Sequence, residues 1–492
     1  MYSIQLKEQY DLFINGKWVN ASDGGTFETK CPANGEVLTR CAQATADDVD
    51  AAVMSAWDAF PEWKKVSKAE RSAMLLRIAD AIDSDAERLA QLESLDTGKT
   101  FSDALYVDIP GVSSQFRYYA ALVQSEEGSS NMLDGNYFSV IMREPLGVVG
   151  AIVPWNFPLL MASYKIAPAL AAGNCIVVKP SSMTSLSMLG FCELVQDILP
   201  PGVINVVTGS GSRSGEYLLQ HPQIRKLSFT GSTEVGYRVA AAAADKLIPA
   251  TLELGGKSAN ILFPDCDFDL AMEGFQLGTL SNQGQVCSAG SRVFVHKDIY
   301  DRFVEAAVKA YENIKVGMPW DPSSKLGSLI SDEQLQKILR YVDIAREEGA
   351  TVACGGVRAT EGDLAKGAFM RPTLLTNVSN DMRVAREEIF GPVACVIKFR
   401  TEEEVIAMAN DSDYGLCGGV FTKDINRALR VANAIEAGRI WVNTYNMFPS
   451  GASFGGYKKS GYGREVHKST LEHYTQSKCI IVNMSEKPMG IF

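Results

Sequence analysis

From residue 147 onward, short apolar runs alternate with longer stretches whose apolar residues recur every three or four positions. Runs at 148–153, 175–178, 203–207 and 226–229 are bounded by Gly, Pro, Asn or Lys, as buried strands are. Helical spacing at 165–172, 185–198, 215–219 and 236–244 fills the gaps. Strands separated by helices imply an α/β fold with a parallel sheet and right-handed crossovers. A second block of the same texture spans about 258–443, with strands at 259–263, 292–295, 372–375, 393–397 and 438–442. Upstream, residues 11–20 set Asn15-Gly16 between apolar runs, a hairpin signal. Two long helices follow, over 46–63, stopping near Pro61, and over 68–95, ending near Gly98. Asp134-Gly135 marks a turn before a strand at 137–142. The tail at 479–483 reads as a strand whose partner is either 137–142 or another subunit's edge.

Composition narrows the function. A chain of 492 residues is too long for one simple core, so two or three domains are expected. With 47 Lys and Arg against 58 Asp and Glu, the net charge of −11 disfavours a nucleic-acid surface. The ten cysteines form no CxxC pair and the four histidines sit at no ligand spacing, so no metal site is read. No apolar stretch reaches the roughly 18 residues of a membrane span. The first residues have no apolar leader-like core, and free thiols suit a reducing compartment, so a cytoplasmic protein is expected.

The chemistry-bearing candidates lie at strand ends. Cys287 occurs in Asn282-Gln283-Gly284-Gln285-Val286-Cys287-Ser288-Ala289-Gly290, a polar glycine-rich run. A lone cysteine is most often a small buried apolar group, but such flanks suit a reactive thiol. A thiol adds to an aldehyde and lets the adduct give up a hydride. With so few histidines, its base is expected to be a carboxylate. Asn156 in Pro154-Trp155-Asn156-Phe157-Pro158 follows the 148–153 strand, and its amide suits an oxyanion donor or an ordinary turn. Lys179 and Ser182 end the 175–178 strand, where a lysine reaches ribose or phosphate or simply solvent. Phe229-Thr230-Gly231-Ser232-Thr233-Glu234-Val235-Gly236 takes a strand through a glycine turn into a helix whose first N–H groups suit phosphate. The same turn also serves as a plain strand-to-helix junction. Glu253 stands between leucines before Gly255-Gly256, an apolar setting that makes a carboxylate a usable base. Glu388 and Phe390 in Glu387-Glu388-Ile389-Phe390-Gly391-Pro392, and the loop 454–465, complete the set.

Taken in order, PWNFP, FTGSTEVG, LELGGKS, NQGQVCSAGSR, EEIFGPV and FGGYKKSGYGRE resemble the NAD(P)-dependent, non-acylating aldehyde dehydrogenase superfamily, over nearly the whole chain. The resemblance implies an α/β fold with a Rossmann-type cofactor domain (1–126 and 146–255), an α/β catalytic domain (256–460) and a small β oligomerisation element (127–145 and 475–492). It implies Cys287 as nucleophile, Asn156 with the Cys287 backbone N–H as oxyanion hole, Glu253 as base, and Lys165 and Glu465 as proton relay. Glu388 is similar to the residue on the nicotinamide ribose, Phe390 to its neighbour, and Lys179 to the adenosine-ribose contact. Ser232 and Trp155 match pyrophosphate and adenine-side positions, and Val153, Pro154, Gly209, Phe229, Gly231, Gly236 and Leu254 complete the cofactor set.

Ser182 stands where strict NAD users often carry Glu, so NAD or NADP is expected, with NADP tolerated. The expected substrate funnel is Phe157, Met161, Tyr164, Val286, Ser288, Phe448 and Phe454, with Tyr164 where many relatives have Trp. No arginine stands among these positions to clamp a carboxylate. A neutral aliphatic or aromatic aldehyde is favoured, with a semialdehyde or cationic amino-aldehyde as the alternative. Glu253 argues against a CoA-acylating enzyme, and Cys287, Glu253 and Asn156 together argue against a non-catalytic binding or structural member. The segments 127–145 and 475–492 resemble oligomerisation strands, so a homodimer or homotetramer is expected.

Overall fold

The computed structural model describes Tyr2 and residues 4–491. Two large sheets carry the fold. The first runs, edge to edge, Gly461–Tyr462, Ala250–Glu253, Lys226–Thr230, Val148–Ile152, Cys175–Lys179, Ile204–Val206, Leu12–Ile14 and Lys17–Val19. Its five central strands are parallel, and the flanking strands pair antiparallel. The second runs Thr351–Cys354, Thr373–Thr376, Val393–Phe399, Arg292–His296, Ala259–Leu262, Cys417–Phe421 and Arg439–Val442. All its pairs are parallel except the Thr351–Cys354 edge.

In the first sheet Val148–Ile152 comes earliest of the parallel five, and the chain then builds outward to both sides of it. The winding therefore reverses between Val148–Ile152 and Lys226–Thr230. Ligands of open α/β sheets bind beyond the carboxyl ends of strands at such a reversal. The residues that follow these two strands are Val153 to Phe157 and Gly231 to Ser232.

A third, three-stranded sheet orders Thr475–Asn483, Tyr137–Pro145 and Ser129–Leu133. The tail pairs antiparallel within its own chain, from Thr475 opposite Pro145 to Asn483 opposite Tyr137. Ser129–Leu133 is exposed along its whole length.

Most elements fall where the pattern places them, and the differences have physical causes. The segment expected as one helix at 68–95 is two, Lys68–Ser84 and Ala86–Thr97, because Asp85 leaves helical geometry (φ −116°, ψ 19°). Ser and Asp offer the backbone local hydrogen bonds that compete with a helix. The helix expected at 165–172 begins at Pro158, and every residue from there to Ala172 is buried. A helix wrapped on all sides shows no polar face, so its first two turns carry no periodic signal. Cys417–Phe421, an inner strand of the second sheet beside its Arg439–Val442 edge, went unread because Gly418 and Gly419 interrupt its apolar run. A Cβ at Gly419 would lie 2.6 Å from the Tyr445 ring, so the gap in the pattern is room for that ring. No helix among the described residues is long and apolar enough to cross a membrane.

Candidate active site

Cys287 lies in the connection from the helix Phe268–Leu280 to the strand Arg292–His296. Asn282, Gln283 and Gly284 take positive φ in succession (47°, 58° and 68°), a tight turn that lifts residues 285–288 off the helix end. A Cβ at Gly256 would lie 2.4 Å from the Cys287 carbonyl oxygen, so the two chains close only with glycine there.

The half-buried Cys287, together with Met161, borders two cavities. One, of about 180 Å³, is lined by all seven expected funnel residues, Phe157, Met161, Tyr164, Val286, Ser288, Phe448 and Phe454. The other, of about 200 Å³, is lined by Pro154, Trp155, Asn156, Gly231, Ser232, Glu253, Leu254, Glu388 and Phe390. No histidine borders either cavity.

Asn156 is buried and pinned from both ends. Its Nδ2 donates to the Gln285 carbonyl at 2.9 Å, which leaves the second amide hydrogen free. Its own carbonyl accepts from Lys99 Nζ and Asn282 Nδ2, each at 2.9 Å. Both carboxylate oxygens of Glu253 are buried without a hydrogen-bond partner. Burial, and then the nearby Glu465 carboxylate, hold its pKa well above the ordinary glutamate value. A Cβ at Gly455 would lie 2.9 Å from Glu253 Oε1, so glycine gives that carboxylate its room. Burial, with the charges of Glu388 and Glu253, pushes the Cys287 thiol up to about 12. The thiol therefore rests protonated at neutral pH.

Lys165 Nζ donates to Glu465 Oε1 at 2.8 Å and to Thr230 Oγ1 at 2.7 Å, all buried. Glu388 Oε1 accepts the Gly256 N–H at 2.9 Å. Trp155 and Phe390 meet edge to face at 5.2 Å. Ser232 caps the helix Thr233–Asp245, accepting from the Val235 N–H.

The remaining expected residues lie outside both cavities. Val153 and Phe229 are buried core residues. A Cβ at Gly236 would strike Leu254 at 2.5 Å, and one at Gly209 would strike Ser214 Oγ at 2.1 Å. Burial lowers the Lys179 ammonium to about 8. Ser182 borders a separate cavity with Gln43, Asp96 and Ser210.

Several residues at the site escaped the sequence reading. Lys99 and Asp108 line the funnel as a buried ion pair, with Glu93 Oε1 3.6 Å from Lys99 Nζ. Lys99 also stands over the Phe157 ring at 4.4 Å. Gly98 signals the end of a helix but not that Lys99 after it is buried. Thr230, Asn282, Gln285, Gln334 and Lys337 carried no signal of their own.

Known proteins bear on this geometry. The aldehyde dehydrogenase family profile matches residues 18–480. Aldehyde dehydrogenase B of Escherichia coli K12 is 46% identical over 498 residues, covering 100% of this chain and 97% of the relative. A solved aldehyde dehydrogenase of Bacillus cereus in complex with NAD+ superposes with a TM-score of 0.95 at 43% identity, over 98% of this chain and 100% of that one. Betaine aldehyde dehydrogenase of Staphylococcus aureus, also solved with NAD+, gives 0.96 at 41% identity, over 98% and 96%. Matched along its whole length, and with the fold those structures share, the chain belongs to the aldehyde dehydrogenase family of NAD(P)-dependent oxidoreductases.

Proposed function

We propose that Cys287 attacks the aldehyde carbonyl from the wall between the two cavities. The observation that carries this reading is that one thiol borders both the apolar funnel and the carboxylate-bearing cavity. Glu253, its carboxylate unpartnered, takes the thiol proton and later deprotonates the water that releases the acid. The free Asn156 amide hydrogen and the Cys287 backbone N–H hold the oxygen that becomes negative. Lys165 and Glu465 carry protons away from Glu253 through their buried pair.

The second cavity fits a dinucleotide. It opens at the strand reversal, against a helix N-terminus, and Gly255 leaves space beside Glu388, where a Cβ would stand 2.6 Å from Oε2. A bound nicotinamide would supply the two-electron acceptor for the hydride that the thiol adduct must lose to become a thioester. Glu388, fixed by the Gly256 N–H, is placed to hold the adjoining ribose. Lys179 and Ser182, beyond this cavity, take the adenosine end in this reading, and Ser182 brings no negative charge against a 2′-phosphate. NADP is therefore accepted beside NAD.

The funnel favours a neutral aliphatic or aromatic aldehyde, because four of its seven expected residues are aromatic and Lys99 is neutralised by Asp108. A cationic aldehyde is the second reading, supported by the half-buried Asp103 on the funnel wall and by the betaine aldehyde relative. The exposed apolar side chains of the third sheet, among them Met132, Ile480 and Ile481, support assembly with further copies. Ten free thiols support a cytoplasmic setting. Reduced-cofactor absorbance over a panel of neutral, acidic and cationic aldehydes, with NAD and with NADP, tests the reading. Neutral aldehydes should give the highest kcat/KM. A panel without turnover, or turnover surviving Cys287→Ala, would sink it.

A further inference from the structure

Arg439 opens the strand Arg439–Val442 and is nearly buried, at 8% exposure. It makes no ion pair with a carboxylate among the described residues. Its guanidinium instead donates to three carbonyls of a single loop: Nε to Ser453 at 3.0 Å, Nη1 to Met447 at 3.4 Å, and Nη2 to Ala452. Three rings surround the same group, Phe448 and Phe454 at 5.3 Å each and Trp441 at 5.9 Å. Trp441 Nε1 adds a second bond to the Met447 carbonyl at 2.9 Å.

The loop so gathered carries two funnel walls. Phe448 and Phe454 meet edge to face at 5.6 Å, and both border the cavity at Cys287. Arg439 draws the two ends of the loop, residue 447 and residues 452–453, to one point behind these rings. The outer side of the loop is tied elsewhere, through Ser450 to Gln115 Nε2 at 2.9 Å and Gly451 N–H to the Val466 carbonyl at 2.8 Å. A planar fork of donors that also stacks on rings suits this place, and an ammonium does not.

We propose that Arg439 is a positioning residue for aldehyde specificity: it clamps the 447–453 loop so that Phe448 and Phe454 close the funnel, without itself touching the substrate. The inference rests on the reading of that cavity as the aldehyde site. It has an electrostatic side as well. The unpaired charge of Arg439 lies near Glu253 and favours its ionised form. Removing the charge makes Glu253 harder to ionise, beside the larger influences of Glu465, Lys165 and Arg464, and the lysine variant, which keeps the charge, separates this from loosening of the loop.

The test compares wild type, Arg439→Met and Arg439→Lys in steady-state kinetics with acetaldehyde and benzaldehyde across pH. In Arg439→Met the aldehyde KM rises by about tenfold or more, the discrimination between the two aldehydes shrinks, and the cofactor KM stays within about twofold. The acidic limb of kcat moves to higher pH. Arg439→Lys keeps the charge but not the fork, so the limb stays and the aldehyde KM still rises by about threefold or more. A wild-type aldehyde KM in folded Arg439→Met overturns the proposal. If that variant does not fold, a wild-type aldehyde KM in Arg439→Lys does so, as does a cofactor KM rising in parallel. A wild-type protein that oxidises no aldehyde sinks the underlying reading instead.

Discussion

The two cavities that meet at Cys287 are built differently. The side proposed for the cofactor is made mainly of short consecutive pieces, 154–156, 230–232, 253–255 and 388 with 390, most of them set where strands of the first sheet end. Its shape follows from backbone turns and from glycines that leave space. The funnel is made of single side chains drawn from distant elements, such as Lys99, Tyr164, Val286 and Phe448. Its shape follows from side-chain packing. Backbone-built walls change little with single substitutions, so the cofactor side is the fixed half. The funnel is the half in which one substitution alters what enters.

Removing the shared thiol should abolish turnover and leave the cofactor half able to bind. Cys287→Ala is expected to lower kcat by about 10⁴-fold or more while cofactor binding, followed by fluorescence titration, persists. Lost cofactor binding would mean that the two halves are not separable. Asn156→Ala is expected to cut kcat by roughly 10²–10³-fold with the aldehyde KM little changed, as for the loss of one oxyanion donor. An unchanged kcat would remove Asn156 from the mechanism.

Glu253→Gln should lower kcat by about 10²-fold and change the pH profile. A base works only when ionised, and burial holds this carboxylate above its ordinary range. Wild-type kcat therefore falls as pH drops through that raised value, and the variant should lose the limb. A limb that persists in the variant belongs to another group. The smallest effect is expected in the adaptable half. Phe448→Ala should cost about 1–3 kcal/mol in kcat/KM for aromatic aldehydes and leave the cofactor KM alone. Equal losses for all aldehydes would place Phe448 outside the specificity wall.

The same contrast explains what was legible in the sequence. Asn156 and Cys287 sit in loops, and Glu253 at a strand end, each with its own local signature, and the structure brings all three to one cavity wall. The partners that hold them are distant. Lys99 reaches the Asn156 carbonyl from 57 positions away, and Glu465 reaches Lys165 across 300. No local pattern encodes such pairs. The helix from Pro158 to Ala172 was obscured because full burial erases the polar phase that marks an element, and the strand Cys417–Phe421 because two glycines break its apolar run. Arg439 was not singled out because its partners are carbonyls and rings rather than a carboxylate.

The late position of Gly461–Tyr462 has a consequence for synthesis. This two-residue strand covers the edge of Ala250–Glu253, the strand that ends in the proposed base. The pairing of Thr475–Asn483 with Tyr137–Pro145 closes across more than three hundred residues. During translation, then, Cys287 leaves the ribosome well before the segment that walls in Glu253 exists. The nascent chain carries its thiol through that interval without an enclosed base to activate it. It also carries an open strand edge, the kind of surface chaperones protect.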